Sequence, residues 1–138
     1  MSMESSVTWM KGMAFDAELE GCHFTLDADP SFGGQGMGPK PKGLTLTSLA
    51  GCTGMDVISM LQKMRVPVEG FSVEVKADLA ENHPRVFTKI HILYRFKGKD
   101  LPLDKLEKAV TLSQEKYCGV SAMLKKAAEV TYEIKTGE

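Results

Sequence analysis

Three cysteines carry most of the chemical potential of this 138-residue chain. Cys52 lies in Leu49-Ala50-Gly51-Cys52-Thr53-Gly54-Met55-Asp56, an apolar stretch rich in small residues. Cys118 lies in Glu115-Lys116-Tyr117-Cys118-Gly119-Val120-Ser121. The nucleophilic form of either is the thiolate, which needs a supporting positive field. Cys118 falls near the start of a short helix, where unpaired backbone N–H groups and the helix dipole favour that form. The plainer reading of both is a small, buried apolar side chain. Asp56 follows Cys52 by four residues and shares its helical face. An ionised carboxylate there opposes ionisation of a neighbouring thiol. Cys22, in an alternating stretch, reads as an ordinary strand residue.

Other chemistries find little support. His23, His83 and His91 have no metal-ligand spacing with one another or with cysteine, so no metal is expected. Gly33-Gly34-Gln35-Gly36 leads into a Pro-rich stretch rather than a helix, and no phosphate-binding Lys-Ser/Thr pair follows. Seventeen basic and eighteen acidic residues leave a net charge of −1, with no global attraction to nucleic acid or anionic membrane. The uninterrupted apolar runs are shorter than the roughly 20 residues that span a bilayer. The first residues lack the basic and apolar regions of a signal peptide. An odd number of cysteines without a secretory signal argues for reduced thiols in the cytoplasm.

The elements that must position these residues follow from periodicity. Residues 7–15 and 22–27 read as an N-terminal antiparallel hairpin. Residues 29–43 hold five glycines and three prolines, so neither helix nor central strand runs through them. Residues 44–64 form a long helix, apolar on most sides and therefore buried, ended by Pro67 and Gly70. Gly51 and Gly54 within it suggest a second backbone packed close to Cys52. Residues 71–79 and 86–96 make a second hairpin around Asn82-His83-Pro84. A helix opens at Pro102 and Asp104, a pause follows at Tyr117-Cys118-Gly119, and a short helix over 120–127 precedes a last strand over 129–135. Grouped strands and helices give an α+β class with antiparallel sheet, in one domain over 1–138. The over-apolar long helix points to cover from a second subunit.

With these residues in place, the chain resembles the osmotically inducible protein C / organic hydroperoxide resistance (OsmC/Ohr) family over nearly its whole length. The likeness rests on Pro39-Lys40-Pro41 leading into Leu49-Ala50-Gly51-Cys52-Thr53-Gly54-Met55-Asp56-Val57. It continues through His83-Pro84-Arg85, Lys105-Leu106-Glu107-Lys108-Ala109-Val110 and Lys116-Tyr117-Cys118-Gly119-Val120-Ser121. Gly-Cys-Thr-Gly around the first cysteine is similar to the OsmC-like branch. The resemblance implies antiparallel sheets around a long buried central helix, in an intertwined homodimer. It also implies a thiol-dependent peroxidase of organic hydroperoxides. Cys52 would attack peroxide, Cys118 would resolve the product as a disulfide, and an external dithiol would reduce it, without metal or organic cofactor.

Two departures from the family pattern bear on activity. Catalytic members place an Arg in the N-terminal region or the following loop, and this chain has only Arg65, Arg85 and Arg95. The family's orienting Glu is replaced by Lys42-Gly43. Lys11, Lys40 and Lys42 are candidate substitutes, though lysine lacks the planar fork of arginine. Met55, Asp56, Glu115 and Tyr117 are further candidates for the pocket or the thiolate environment, and Met60 is expected mainly in the core. Two alternatives stay open: a non-catalytic relative holding a small apolar ligand at the dimer interface, and another thiol-based activity at Cys52.

Overall fold

The computed structural model describes residues 1–138. The chain divides into two compact units, Met1–Thr45 and Leu46–Glu138.

The first unit is a three-stranded antiparallel meander rather than a hairpin: β1 (Ser5–Lys11), β2 (Ala14–Leu19) and β3 (Cys22–Leu26), in that order. The expected single strand over 7–15 is broken because Gly12 turns the chain with φ 55°, so that Trp9 pairs with Phe15 across the turn. The second turn places Glu20 and Gly21 at φ 51° and 78°, the twin left-handed geometry that suits a two-residue hairpin loop. The Gly/Pro segment is organised by Asp27. Its carboxylate accepts the N–H groups of Ala28, Gln35 and Met37 at 2.8–3.0 Å, which holds it below the usual carboxylate range. Gly38 packs so closely that a Cβ there would lie 1.9 Å from the Thr25 carbonyl oxygen, so only glycine fits.

The second unit carries the core. Helix α1 (Leu44–Lys63) buries Leu49, Thr53, Val57 and Leu61, one stripe at four-residue spacing. It closes earlier than Pro67: Arg65 takes the left-handed position (φ 57°), and the N–H of Val66 reaches back to the Leu61 carbonyl at 3.0 Å. This is a Schellman-type stop with arginine where glycine is usual, and Val66 buries its side chain in the core. Strands β4 (Gly70–Leu79) and β5 (Phe87–Lys97) form the expected antiparallel hairpin. On central β5, Ile90, Ile92, Tyr94 and Phe96 alternate inward and are buried. Phe71 stacks on Phe96 with ring centres 4.7 Å apart.

Helix α2 (Leu103–Leu112) adds Leu106, Ala109 and Val110 to the core. A wide π turn over Ser113–Tyr117 follows, then α3 (Gly119–Lys125) and β6 (Glu129–Gly137). Strand β6 joins β5 in parallel, not antiparallel as expected. The path through α2 and α3 supplies the long crossover that a parallel neighbour requires, a consequence of connection length that strand patterning does not reveal. The α+β class stands.

The glycines of α1 behave differently from expectation. A Cβ on Gly54 would meet the side chain of Val73 at 3.4 Å, and one on Gly51 would meet nothing within 4 Å, so no backbone packs on them within the chain. Residues 41–63 are long and apolar enough, by length and composition, to cross a membrane. The fully buried stripe of α1 nevertheless makes it the core helix of this unit. Only 22% of its most apolar stretch is buried by the chain itself.

Candidate active site

Cys52 and Asp56 lie one turn apart on α1, and Cys118 stands at the entrance to α3. Their Sγ and carboxylate oxygen atoms lie within 4.8 Å of one another. Two sequence-derived candidates separated by 66 positions are thereby neighbours, with the carboxylate between the same elements. Cys52 and Asp56 are half-buried, while Cys118 is only 3% exposed. All three cysteines are free thiols, and Cys22 belongs to β3 of the first unit, where it is exposed.

The π turn explains how Cys118 is placed. Its N–H closes a wide ring onto the Ser113 carbonyl at 2.8 Å. The Ser121 N–H donates to its sulfur at 3.4 Å, so Cys118 caps α3 with its own side chain. The Gln114 carbonyl in the π turn accepts from Lys125 Nζ at 2.6 Å.

Beneath the thiols runs a buried polar network that pattern reading did not identify. Thr53 Oγ1 lies 2.6 Å from Tyr94 Oη and 2.7 Å from Ser113 Oγ. Ser113 Oγ donates to Asp56 at 2.9 Å. Gln114 Nε2 donates to Thr53 Oγ1 and Tyr94 Oη at 3.2 and 2.8 Å, and Ser121 Oγ donates to Gln114 Oε1 at 2.7 Å. Donor counting fixes the direction, because each hydroxyl carries one proton. Ser113 spends its proton on Asp56, so Thr53 must donate to Ser113, and Tyr94 must donate to Thr53. The chain of donors Tyr94→Thr53→Ser113 thus ends on the Asp56 carboxylate, and no buried side-chain polar atom is left without a partner. The available sequence signal was Thr53 itself, a hydroxyl within the apolar stripe Leu49-Thr53-Val57-Leu61. Its partners come from β5 and the π turn, which no local pattern links to it.

The electrostatics reverse one expectation. Burial pushes the Cys118 thiol up to about 11, and the neighbouring Cys52 and Asp56 add to the rise. The Ser121 N–H opposes this but does not offset it. The helix-start argument for a Cys118 thiolate therefore fails because the same position is desolvated. Burial likewise raises Tyr94 to about 12. Between the ordinary thiol range and about 11 the folded chain keeps a Cys118 proton that the unfolded chain releases. This contribution to stability is full below that window and is lost as pH rises through it. Alkylation of intact protein at pH 8 is expected to modify exposed Cys22 fast and Cys118 slowly, with the Cys118 rate still climbing above pH 10. Peptide mapping by mass spectrometry checks this, and a Cys118 rate that levels off near pH 8 contradicts it.

The remaining sequence candidates are placed as follows. Met55 (73% exposed), Glu115 and Tyr117 (54% exposed) lie on the surface of the second unit. Lys116 Nζ stands 5.2 Å from the Tyr117 ring centre. Met60 packs against the core. Lys11, Lys40 and Lys42 belong to the first unit, where Lys40 pairs with Asp29 at 3.2 Å. Arg95 is paired with Glu74 across the sheet.

Comparison with known proteins bears on the family and the fold. The profile of the family described as OsmC-like protein matches residues 33–133. The chain therefore belongs to the OsmC-like family. Protein YhfA of Escherichia coli K12 is 36% identical over 130 residues, covering 94% of this chain and 95% of YhfA. A crystal structure of a hypothetical protein from Aquifex aeolicus VF5 is 31% identical, with a TM-score of 0.83, covering 100% of this chain and 99% of that one. The organic hydroperoxide resistance protein OhrB of Bacillus subtilis shares the fold at a TM-score of 0.64 and 18% identity, over 98% of each chain.

Proposed function

We propose that this protein is a cytoplasmic thiol-dependent peroxidase that reduces organic hydroperoxides in defence against oxidative stress. The observation that carries the reading is the approach of Cys52 to Cys118, sulfur within 4.8 Å of sulfur, inside a family that includes hydroperoxide resistance proteins. Cys52 is the more accessible of the two and takes the role of the attacking thiol. Its sulfur bonds to the distal peroxide oxygen as the O–O bond breaks. The thiol proton passes to the departing alkoxide, which leaves as an alcohol, and Cys52 becomes a sulfenic acid. Asp56, whose carboxylate lies within 4.8 Å of both sulfurs, carries that proton in this reading. Cys118 then attacks the Cys52 sulfur, water leaves, and a disulfide remains for an external dithiol to reduce.

The neutral Cys118 thiol suits the resolving role better than the attacking one, since it is spared direct oxidation until Cys52 has reacted. The working form is a homodimer. In support, β1 exposes every residue, including Val7 and Trp9, and most of the apolar stretch containing α1 is not fully buried by its own chain. Lys11, Lys40 and Lys42 remain the candidates for the positive field that the family draws from arginine. A second reading, a non-catalytic protein binding a small apolar ligand, is favoured by that absent arginine.

A Cys118→Ser variant tests the order of events. One equivalent of cumene hydroperoxide should leave a sulfenic acid on Cys52 that a cyclic diketone reagent traps, with no intramolecular disulfide. Adduct on Cys22 alone, or no adduct, would count against the peroxidase and in favour of the binding protein.

A further inference from the structure

We propose that the reduced protein binds one thiophilic divalent cation, of which zinc(II) is the type, through Cys52 Sγ, Cys118 Sγ and a carboxylate oxygen of Asp56. Cysteine thiolates and carboxylate oxygens are both zinc ligands, and three protein donors leave the fourth position of a tetrahedral ion to a solvent molecule. Tetrahedral zinc with sulfur at ~2.3 Å sets its two sulfurs ~3.8 Å apart. The three donor atoms already lie within 4.8 Å, so small side-chain rotations complete the site.

Three further features favour a cation there. Cys52 and Asp56 have the i, i+4 spacing that brings two ligands of one helix onto a single ion. The third ligand comes from a different element, so the ion would bridge α1 to the entrance of α3. The outer shell is also in place. Ser113 Oγ donates to the Asp56 carboxylate at 2.9 Å, and the Ser121 N–H donates to the Cys118 sulfur at 3.4 Å. Such second-shell donors orient metal ligands and stabilise a bound thiolate. Binding releases both thiol protons to solvent and changes no oxidation state. The ion would occupy the sulfurs that a peroxide must reach, so metal and oxidant exclude each other: loading shields the thiols, and disulfide formation expels the ion.

The test uses the reduced full-length protein under anaerobic conditions, titrated with zinc sulfate against a chromophoric chelator. The expected result is one zinc per chain, withdrawn from the chelator, with Cys22→Ser unchanged. Affinity should fall by about tenfold or more in Cys52→Ser and in Asp56→Asn. Cobalt(II) in the unaltered protein should give a sulfur-to-metal charge-transfer band and the intense visible bands of tetrahedral cobalt, a readout that does not depend on how well a variant folds. Failure to withdraw zinc, binding lost in Cys22→Ser, affinity unchanged in Asp56→Asn, or only weak octahedral cobalt bands would each overturn the proposal. None of these outcomes requires peroxide turnover, so the cation site and the peroxidase stand or fall separately.

Discussion

Replacing Cys52 with serine should abolish hydroperoxide turnover, lowering the rate on the order of 10³-fold or more while leaving the fold intact. The size of the loss follows from removing the attacking group itself. A serine hydroxyl is a far weaker nucleophile, and loss of a nucleophile costs several orders of magnitude where an enzyme depends on one. Structural damage should be small, because Cys52 is half-buried at the edge of the core cluster and serine is slightly smaller. A coupled assay with a dithiol reductant and cumene hydroperoxide reads the rate, and circular dichroism checks the fold. Turnover within a few-fold of the unaltered protein would remove Cys52 from the attacking role. The paired Cys118→Ser variant should differ in kind, permitting one round of oxidation and then stalling.

The second large effect belongs to Thr53. Thr53→Val keeps the shape of the side chain and deletes the hydroxyl at which Tyr94, Ser113 and Gln114 meet. The Tyr94 proton and the Ser113 oxygen lose a partner in a fully buried place, and each such orphaned group costs about 1–3 kcal/mol. The expected loss is about 2–4 kcal/mol, with a Tm roughly 10 °C lower. Thr53→Ser keeps the hydroxyl and should cost about 1 kcal/mol for the missing methyl group. Urea denaturation of the three proteins checks the ranking. If valine were tolerated within about 0.5 kcal/mol, the hydrogen-bonded chain from Tyr94 to Asp56 would contribute nothing net, and the directional assignment would lose its support. Damage confined to stability would mark Thr53 as scaffold. A further slowing of disulfide closure in the folded variant would mark it as a residue that positions Ser113, and through it Asp56.

Much of this architecture is legible in the sequence. The stripe on α1, the alternation of Ile90, Ile92, Tyr94 and Phe96, and the pause at Cys118 each follow from local periodicity. They survive because packing agrees with them. What escaped depends on contacts between distant segments. The parallel placement of β6 is fixed by the length of the crossover and by the partner it finds on β5. Gly12 was visible, but whether it interrupts a strand or reverses it depends on Ala14–Leu19 finding a neighbour on each side. The helix stop at Arg65 puts a non-glycine residue at positive φ, held there because Val66 gains a place in the core.

The site divides in the same way. The cysteines and Asp56 are conspicuous by type and spacing. Cys118 follows the plainer reading of a small buried side chain: a helix entrance favours a thiolate only while water reaches it, and here the sulfur is buried. Ser113 and Gln114 stand out neither by type nor by spacing, because serine and glutamine near helix ends are ordinarily solvated. Their role arises from the π turn, which turns two successive residues, Ser113 and Gln114, inward together.

Reaction of the reduced protein with cumene hydroperoxide and with hydrogen peroxide in a stopped-flow instrument, followed by thiol counting and peptide mapping, tests the central claim most directly. The account predicts rapid loss of two thiols per chain, faster with the organic peroxide, and a Cys52–Cys118 disulfide as the product. Oxidation no faster than that of a free cysteine, or a disulfide that omits Cys52, would contradict it.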